Sequence, residues 1–158
     1  MKEKKGENLL LTFNKPEVEQ FFKVFNIEDF TLSPDEKQLV YSTNLTGHYN
    51  VWAMDLPNQY PYPLTFNDQS CHGLKYDPNG KYILASFDQD GNELTQLYAI
   101  PSRGGELQDV RVEKEHRHMN PSFSKDGQRI YYTSTKGNQT YLNCYCYDLE
   151  TKEEKLLV

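Results

Sequence analysis

Residues 30 to 42 read Phe-Thr-Leu-Ser-Pro-Asp-Glu-Lys-Gln-Leu-Val-Tyr-Ser, and the same grammar returns twice. It recurs at 74 to 86 as Leu-Lys-Tyr-Asp-Pro-Asn-Gly-Lys-Tyr-Ile-Leu-Ala-Ser and at 121 to 133 as Pro-Ser-Phe-Ser-Lys-Asp-Gly-Gln-Arg-Ile-Tyr-Tyr-Thr. Leu39, Ile83 and Ile130 fall on one position, 44 and 47 residues apart. In each copy an alternating segment runs into Ser33, Asp77 or Ser124, whose short polar side chain can hold the backbone of a tight turn. Gly80 and Gly127 sit where that turn wants a positive φ; Glu36 departs from the pattern. An apolar run follows, the mark of a buried strand.

A third strand comes after each polar hairpin loop: Val51-Trp-Ala-Met-Asp, Leu97-Tyr-Ala-Ile-Pro and Cys144-Tyr-Cys-Tyr-Asp. Trp52, Tyr98 and Tyr145 align, and repetition at one position predicts that they fill the gap between packed sheets. A weaker fourth strand, at 62–66, 107–112 and 154–158, has the raggedness of a solvated edge. Four antiparallel strands in a repeat of this length predict β-propeller blades. The expected fold is all-β, a partial propeller of about three four-stranded blades spanning 27–67, 68–113 and 114–158, with an N-terminal strand and helix in 1–26. Leu11-Thr-Phe-Asn matches Leu64-Thr-Phe-Asn, so Leu9 to Phe13 is expected to be an outer strand lent to another blade. Val18, Phe21, Phe22 and Phe25 share one face of a helix that Pro16 can start.

Twelve Tyr and eight Phe supply a core rich in strand formers. A net charge of −6, with no basic run beyond Lys2, Lys4 and Lys5, argues against nucleic acid, which needs clustered cations. No stretch is apolar enough to span a bilayer, and the N-terminus lacks the apolar region of a signal peptide. Three cysteines do not form a secreted disulfide framework, so the expected location is the cytoplasm.

The Ser33-Pro-Asp-Glu-Lys turn, the strand Asn50-Val-Trp-Ala-Met-Asp-Leu and Asp90-Gly-Asn-Glu-Leu-Thr-Gln-Leu-Tyr before Gly104-Gly-Glu resemble the N-terminal propeller of prolyl oligopeptidase family (S9) serine peptidases. The likeness is to bacterial acylaminoacyl or dipeptidyl peptidase-like members and runs from about Leu9 to Val158; TolB-like propellers share the turn. It implies a non-catalytic propeller that gates short peptide substrates for an α/β-hydrolase domain. This chain holds no Gly-x-Ser-x-Gly, so no catalytic residue is carried over. The alternative is a TolB-like interaction propeller with no enzyme attached. Three blades fall short of the four to eight of a closed ring. The expected partners are therefore the missing blades and hydrolase domain, or a second copy meeting the raw blade faces; no cofactor is expected.

Cys144 and Cys146, with Cys71, His116 or His118, invite a zinc reading. The register instead sets Cys144 over Val51 and Leu97, and Cys146 over Ala53 and Ala99, where a thiol serves as a small hydrophobe. His118 aligns with Ile27 and Cys71 at the start of an innermost strand, so with His116 and Arg117 it is a candidate to touch a peptide in the channel. An inter-blade loop is the plainer reading. Asp88-Gln-Asp-Gly-Asn-Glu mimics a calcium loop but has Gly91 one place early, and reads better as a hairpin. Glu93 is a candidate for a substrate amino group, by resemblance to acidic propeller residues of dipeptidyl peptidases. If the cysteines only fill space, Cys144→Val and Cys146→Ala change the thermal midpoint by no more than a few degrees. A collapse of folding on either substitution would restore the metal reading.

Overall fold

The computed structural model describes residues 15–22, 24–138 and 140–158, without the side chains of Gln20 and Phe21. Three four-stranded antiparallel sheets follow one another along the chain, each a meander in sequence order. The first contains β1 (Ile27–Leu32), β2 (Gln38–Thr43), β3 (Asn50–Asp55) and β4 (Pro61–Pro63). The second contains β5 (Cys71–Tyr76), β6 (Tyr82–Phe87), β7 (Gln96–Pro101) and β8 (Gln108–Arg111). The third contains β9 (His118–Phe123), β10 (Arg129–Ser134), β11 (Asn143–Asp148) and β12 (Glu154–Leu156). These are three blades of a β-propeller, as the repeat requires. The fourth strands are the shortest, three or four residues each. The expected strand at Leu9 to Phe13 lies outside the described residues.

The N-terminal helix is shorter than its apolar spacing predicts. It covers only α1 (Val18–Phe22), leaving Phe25 beyond its end, and Val18 and Phe22 are exposed. Five residues barely outlast the cost of helix nucleation. The chain then turns toward β1 as the Asn26 N–H donates to Asn44 Oδ1 at 2.8 Å.

The repeated turn is built as its residues predict. Ser33 Oγ accepts the N–H of Lys37 and of Gln38, Asp77 Oδ2 that of Lys81, and Ser124 Oγ that of Arg129. Glu36, Gly80 and Gly127 take φ of 57°, 72° and 71°, so Glu36 adopts the glycine conformation despite its Cβ. Gly127 is constrained twice. A Cβ there would lie 2.5 Å from Asn79 Nδ2 and 2.9 Å from Asp77 Oδ1, because the third turn stacks on the second.

Alternation gives each sheet a leading face toward the preceding sheet and a trailing face toward the next. Ile83, Phe87 and Ile100 on the second sheet's leading face close against Val40, Val51, Ala53 and Leu64 on the first sheet's trailing face. Leu84 and Leu97 close against Ile130, Tyr132, Tyr145 and Tyr147. Each fully buried aliphatic side chain stabilises by about 1.5–3 kcal/mol, so the seams hold the fold. Tyr98 and Tyr145 fill the two seams as expected, while Trp52 lies half-buried on the first sheet's leading face. Cys144 and Cys146, half-buried, occupy the third sheet's trailing face in the predicted register.

The second seam also contains charge. Arg111 donates to Glu113, to Glu154 Oε2 at 2.7 Å and to the Tyr132 hydroxyl at 2.9 Å, with its guanidinium 4.7 Å from the Tyr147 ring centre. Lys136 Nζ donates to both carboxylates, at 2.9 and 2.7 Å. Burial disfavours the charge on Glu113 and Glu154, but the Lys136 hydrogen bonds and the Arg111 charge outweigh it and hold both below the usual range. Beside this network lies His118, wholly buried and edge-on to Tyr132 with ring centres 5.3 Å apart. Neither ring nitrogen has a hydrogen-bond partner among the described residues. Burial pushes its pKa down to about 4, against the opposing pull of Glu113.

Two outcomes follow for stability. Relieving the left-handed strain with Glu36→Gly raises stability by about 1 kcal/mol, and Gly127→Ala lowers it by more than that, as chemical denaturation will show. His118 is neutral when folded and protonates below 6.5 when unfolded, so its contribution is complete above pH 6.5 and is lost as the pH falls toward 4. His118→Ile, the residue of the first blade, therefore flattens the decline of thermal midpoint across that window. It also removes an unsatisfied donor costing about 1–3 kcal/mol. An unchanged pH slope would show that the decline arises elsewhere.

Candidate functional site

The innermost strands β1, β5 and β9 lie side by side, so their free edges line the channel wall. A free strand edge has unpaired N–H groups that need partners. Asp29 meets this need in the first blade: Oδ1 accepts the N–H of Phe30 at 2.8 Å and Oδ2 that of Leu74 at 2.7 Å. Thr31 Oγ1 accepts the N–H of Tyr76 at 3.2 Å. Between β5 and β9 the device is missing. Gly73 replaces the carboxylate, and Pro121, aligned with Leu74, has no N–H to offer. A notch of about 310 Å³ opens there, with Asn120 on its rim. Ser86 Oγ, behind Gly73, is buried without a partner among the described residues.

The notch shares His72, Thr95 and Met119 with a wider hollow of about 530 Å³ at the channel mouth. Ser70, Asp88, Glu93 and Arg117 complete much of its lining. His72 stands on the exposed side of β5, with Nδ1 4.0 Å from Glu28 Oε1 and Nε2 3.8 Å from Asp88 Oδ1. Arg117 enters from the connection before β9. Its Nε donates to the Glu93 carbonyl at 2.7 Å, and Nη2 lies 3.7 Å from Glu93 Oε2. Glu93 itself sits in the β6–β7 connection at φ 59°, after Asp90 at φ 53° and Gly91 at φ 73°. That loop is pinned to the approach to β5: Gln69 Nε2 donates to Asp90 Oδ1, and the Asp90 N–H donates to Gln69 Oε1. One guanidinium, one imidazole and two carboxylates thus face a single open hollow, an arrangement suited to holding a small molecule that carries both signs of charge.

Of the three sequence candidates, Glu93 stands in this hollow. His116 is not among the residues that line it and sits in the turn before β9, where its N–H donates to the Glu113 carbonyl and its own carbonyl accepts from Gln96 Nε2. His118 does not reach a channel ligand, because its ring is sealed in the second seam. The cysteines and these histidines do not converge: Cys71 is buried in the first seam, with its pKa pushed up to about 12 by burial, while Cys144 and Cys146 face away from His118 across the third sheet. The Arg111–Glu113–Lys136–Glu154 network pairs every charge it contains and acts as a strut between blades. His72 escaped the sequence reading. Its signal was present, since alternation after Cys71 points the next residue to the other face, where Glu28 and Met119 also fall.

No family model matches the chain, and neither does the sequence of any curated protein. Solved structures do. The putative TolB of Agrobacterium tumefaciens is 17% identical with a TM-score of 0.68, over 80% of this chain and 47% of that one. TolB of Acinetobacter baumannii is 20% identical with a TM-score of 0.65, over 82% of this chain and 31% of that one. A puromycin hydrolase is 12% identical with a TM-score of 0.65, over 84% of this chain and 22% of that one. This chain thus spans less than half the length of each of these structures, and at such identities the likeness is one of β-propeller fold.

Proposed function

We propose that the chain is the non-catalytic propeller portion of a serine peptidase, selecting short peptides for an α/β-hydrolase domain outside this sequence. The observation that carries this reading is the hollow at the channel mouth, lined by Arg117 in a pair with Glu93 and by His72 beside Asp88. A short peptide has a terminal ammonium and a terminal carboxylate, the two charges that such a hollow can hold. The Ser33-Pro-Asp turn and aromatic third strands that resemble prolyl oligopeptidase propellers support it, as does a similar blade arrangement in a puromycin hydrolase. The second reading, an interaction propeller, draws on the likeness to the two TolB structures; it calls for a folded protein partner rather than a free peptide.

Amide-resolved NMR of the 158-residue chain separates the two. Titration with tetra-alanine is expected to move the amide signals of His72, Asp88, Glu93 and Arg117, while the same peptide acetylated and amidated moves them much less. Arg117→Gln should weaken the response to the free peptide about tenfold, the loss of one charge-assisted contact. If free and blocked peptides act alike, or neither moves these signals, the peptide reading fails.

A further inference from the structure

We propose that Asp88 and Ser86, at the channel end of the second seam, form a seat for a primary ammonium group, the Asp88 carboxylate accepting its N–H groups and Ser86 Oγ the one that points into the notch. This deepens the peptide reading and rests on its premise that the hollow holds a ligand. Its test uses an amine that is not a peptide, so the two can fail separately.

The repeat shows what the position of Asp88 does elsewhere. Two residues on from Ser42, Ser86 and Thr133 stand Asn44, Asp88 and Thr135. In the first blade Asn44 Oδ1 accepts the N–H of Asn26 at 2.8 Å, and in the third Thr135 Oγ1 accepts that of Arg117 at 3.0 Å. Each donor is the residue immediately before an innermost strand. The backbone of the second blade keeps this frame, since the Asp88 N–H donates to the Ser70 carbonyl at 3.3 Å as that of Thr135 does to the Arg117 carbonyl at 3.2 Å. The side chain does not follow. Among the described residues none donates a hydrogen bond to the Asp88 carboxylate, although it is only 8% exposed. His72 Nε2 lies 3.8 Å away, beyond hydrogen-bond distance, and Glu28 draws on the same ring from 4.0 Å. A carboxylate placed so deeply calls for a charged donor.

The other charges of the hollow leave that role open. Arg117 is engaged by Glu93, through its carbonyl at 2.7 Å and its carboxylate at 3.7 Å, and the Glu93 side chain is 85% exposed. Lys75, which lines the notch, pairs across the sheet with Leu84, four residues before Asp88, or about 13 Å of extended chain. The surplus beside Asp88 is therefore negative, and the group that neutralises it is a cation. Ser86 sets its size. This residue is 3% exposed, and its Oγ has no partner among the described residues. Gly73 keeps the space in front of it open: a Cβ there would stand 3.3 Å from Ser86 Oγ and, apart from its own chain neighbours, meet only Ser86 within 4 Å. Space for one heavy atom beside an unpartnered hydroxyl suits an ammonium better than a planar guanidinium. Ser86 and Asp88 are two residues apart on one face, with Cα atoms about 7 Å apart, a span over which both side chains can reach one nitrogen.

The test is NMR of the carboxylate carbons of the 158-residue chain during titration with n-butylammonium chloride. The Asp88 signal is expected to move saturably, while tetramethylammonium chloride, which has the charge but no N–H, leaves it in place. Asp88→Asn should weaken amine binding about tenfold, read from the His72 and Thr95 amides, and Ser86→Ala or Gly73→Ala, the latter filling the space with a methyl, about threefold each. Alaninamide and N-acetyl-lysinamide then separate an amino end from a lysine side chain as the source of the ammonium. Both cations acting alike, neither acting, or a response that survives Asp88→Asn but not Glu93→Gln overturns the proposal. Amine binding without a tetra-alanine response sinks the peptide reading alone; a tetra-alanine response with an unmoved Asp88 signal sinks this one alone.

Discussion

A sheet that is apolar on both faces must be covered on both, and everything else in this molecule follows from that requirement. Alternation gives β6 buried residues on each side, while β10 buries Ile130, Tyr132 and Ser134 on one face and half-buries Tyr131 and Thr133 on the other, so each blade becomes a wall of its neighbour's core. The covering is specific as well as apolar. In both seams one backbone hydrogen bond, from Cys71 or His118, fixes the height at which successive blades meet. That bond sets the innermost strands side by side and so creates the channel wall on which the candidate site stands.

The repeat that made the fold legible is a record of this packing. The turn residues Ser33, Asp77 and Ser124 each accept an amide four or five residues on, and the third strands repeat large residues on one face and small or medium ones on the other. Such signals are local, and a single sequence displays them well. The helix was overextended because its apolar spacing says nothing about where the chain must turn to reach β1. The site was legible only in part for a similar reason. Glu93 and Arg117 could be named, but that they share a hollow with His72 and Asp88 depends on how two blades and their connecting loops are set together. Alignment with Cys71 places His118 near the channel along the chain, but its side chain shares the buried face of Cys71.

The departures from the repeat are more informative about function than the repeat itself. Asp29, Gly73 and Asn120 share one position of the sequence repeat, as do Phe30, Leu74 and Pro121, and between the second and third blades the carboxylate and the N–H are lost together. The paired loss leaves no orphan donor on the strand edge, yet opens the wall where the hollow lies. A third departure is coupled to it. Ser42 Oγ donates to the Cys71 carbonyl, whereas at the second seam it is Thr95 Oγ1 that donates to the His118 carbonyl. Ser86 Oγ is left buried and unpartnered at the notch. A buried hydroxyl in that state costs about 1–3 kcal/mol, which the fold tolerates here and avoids at the first seam.

That contrast sets the two seams apart. At the first seam the Leu74 and Tyr76 amides of β5 are satisfied by side chains of β1, which ties the two strand edges together. At the second the wall has a gap, an unsatisfied hydroxyl behind it, and charges of both signs around its mouth. The strut of Arg111, Glu113, Lys136 and Glu154 lies in the same seam and supplies the rigidity that the missing strand-edge bonds would have given. A seam that exchanges direct strand-edge bonds for a paired charge network can leave its channel end open without coming apart. The second seam thus differs from the first at its channel end, where polar and charged groups surround an open notch.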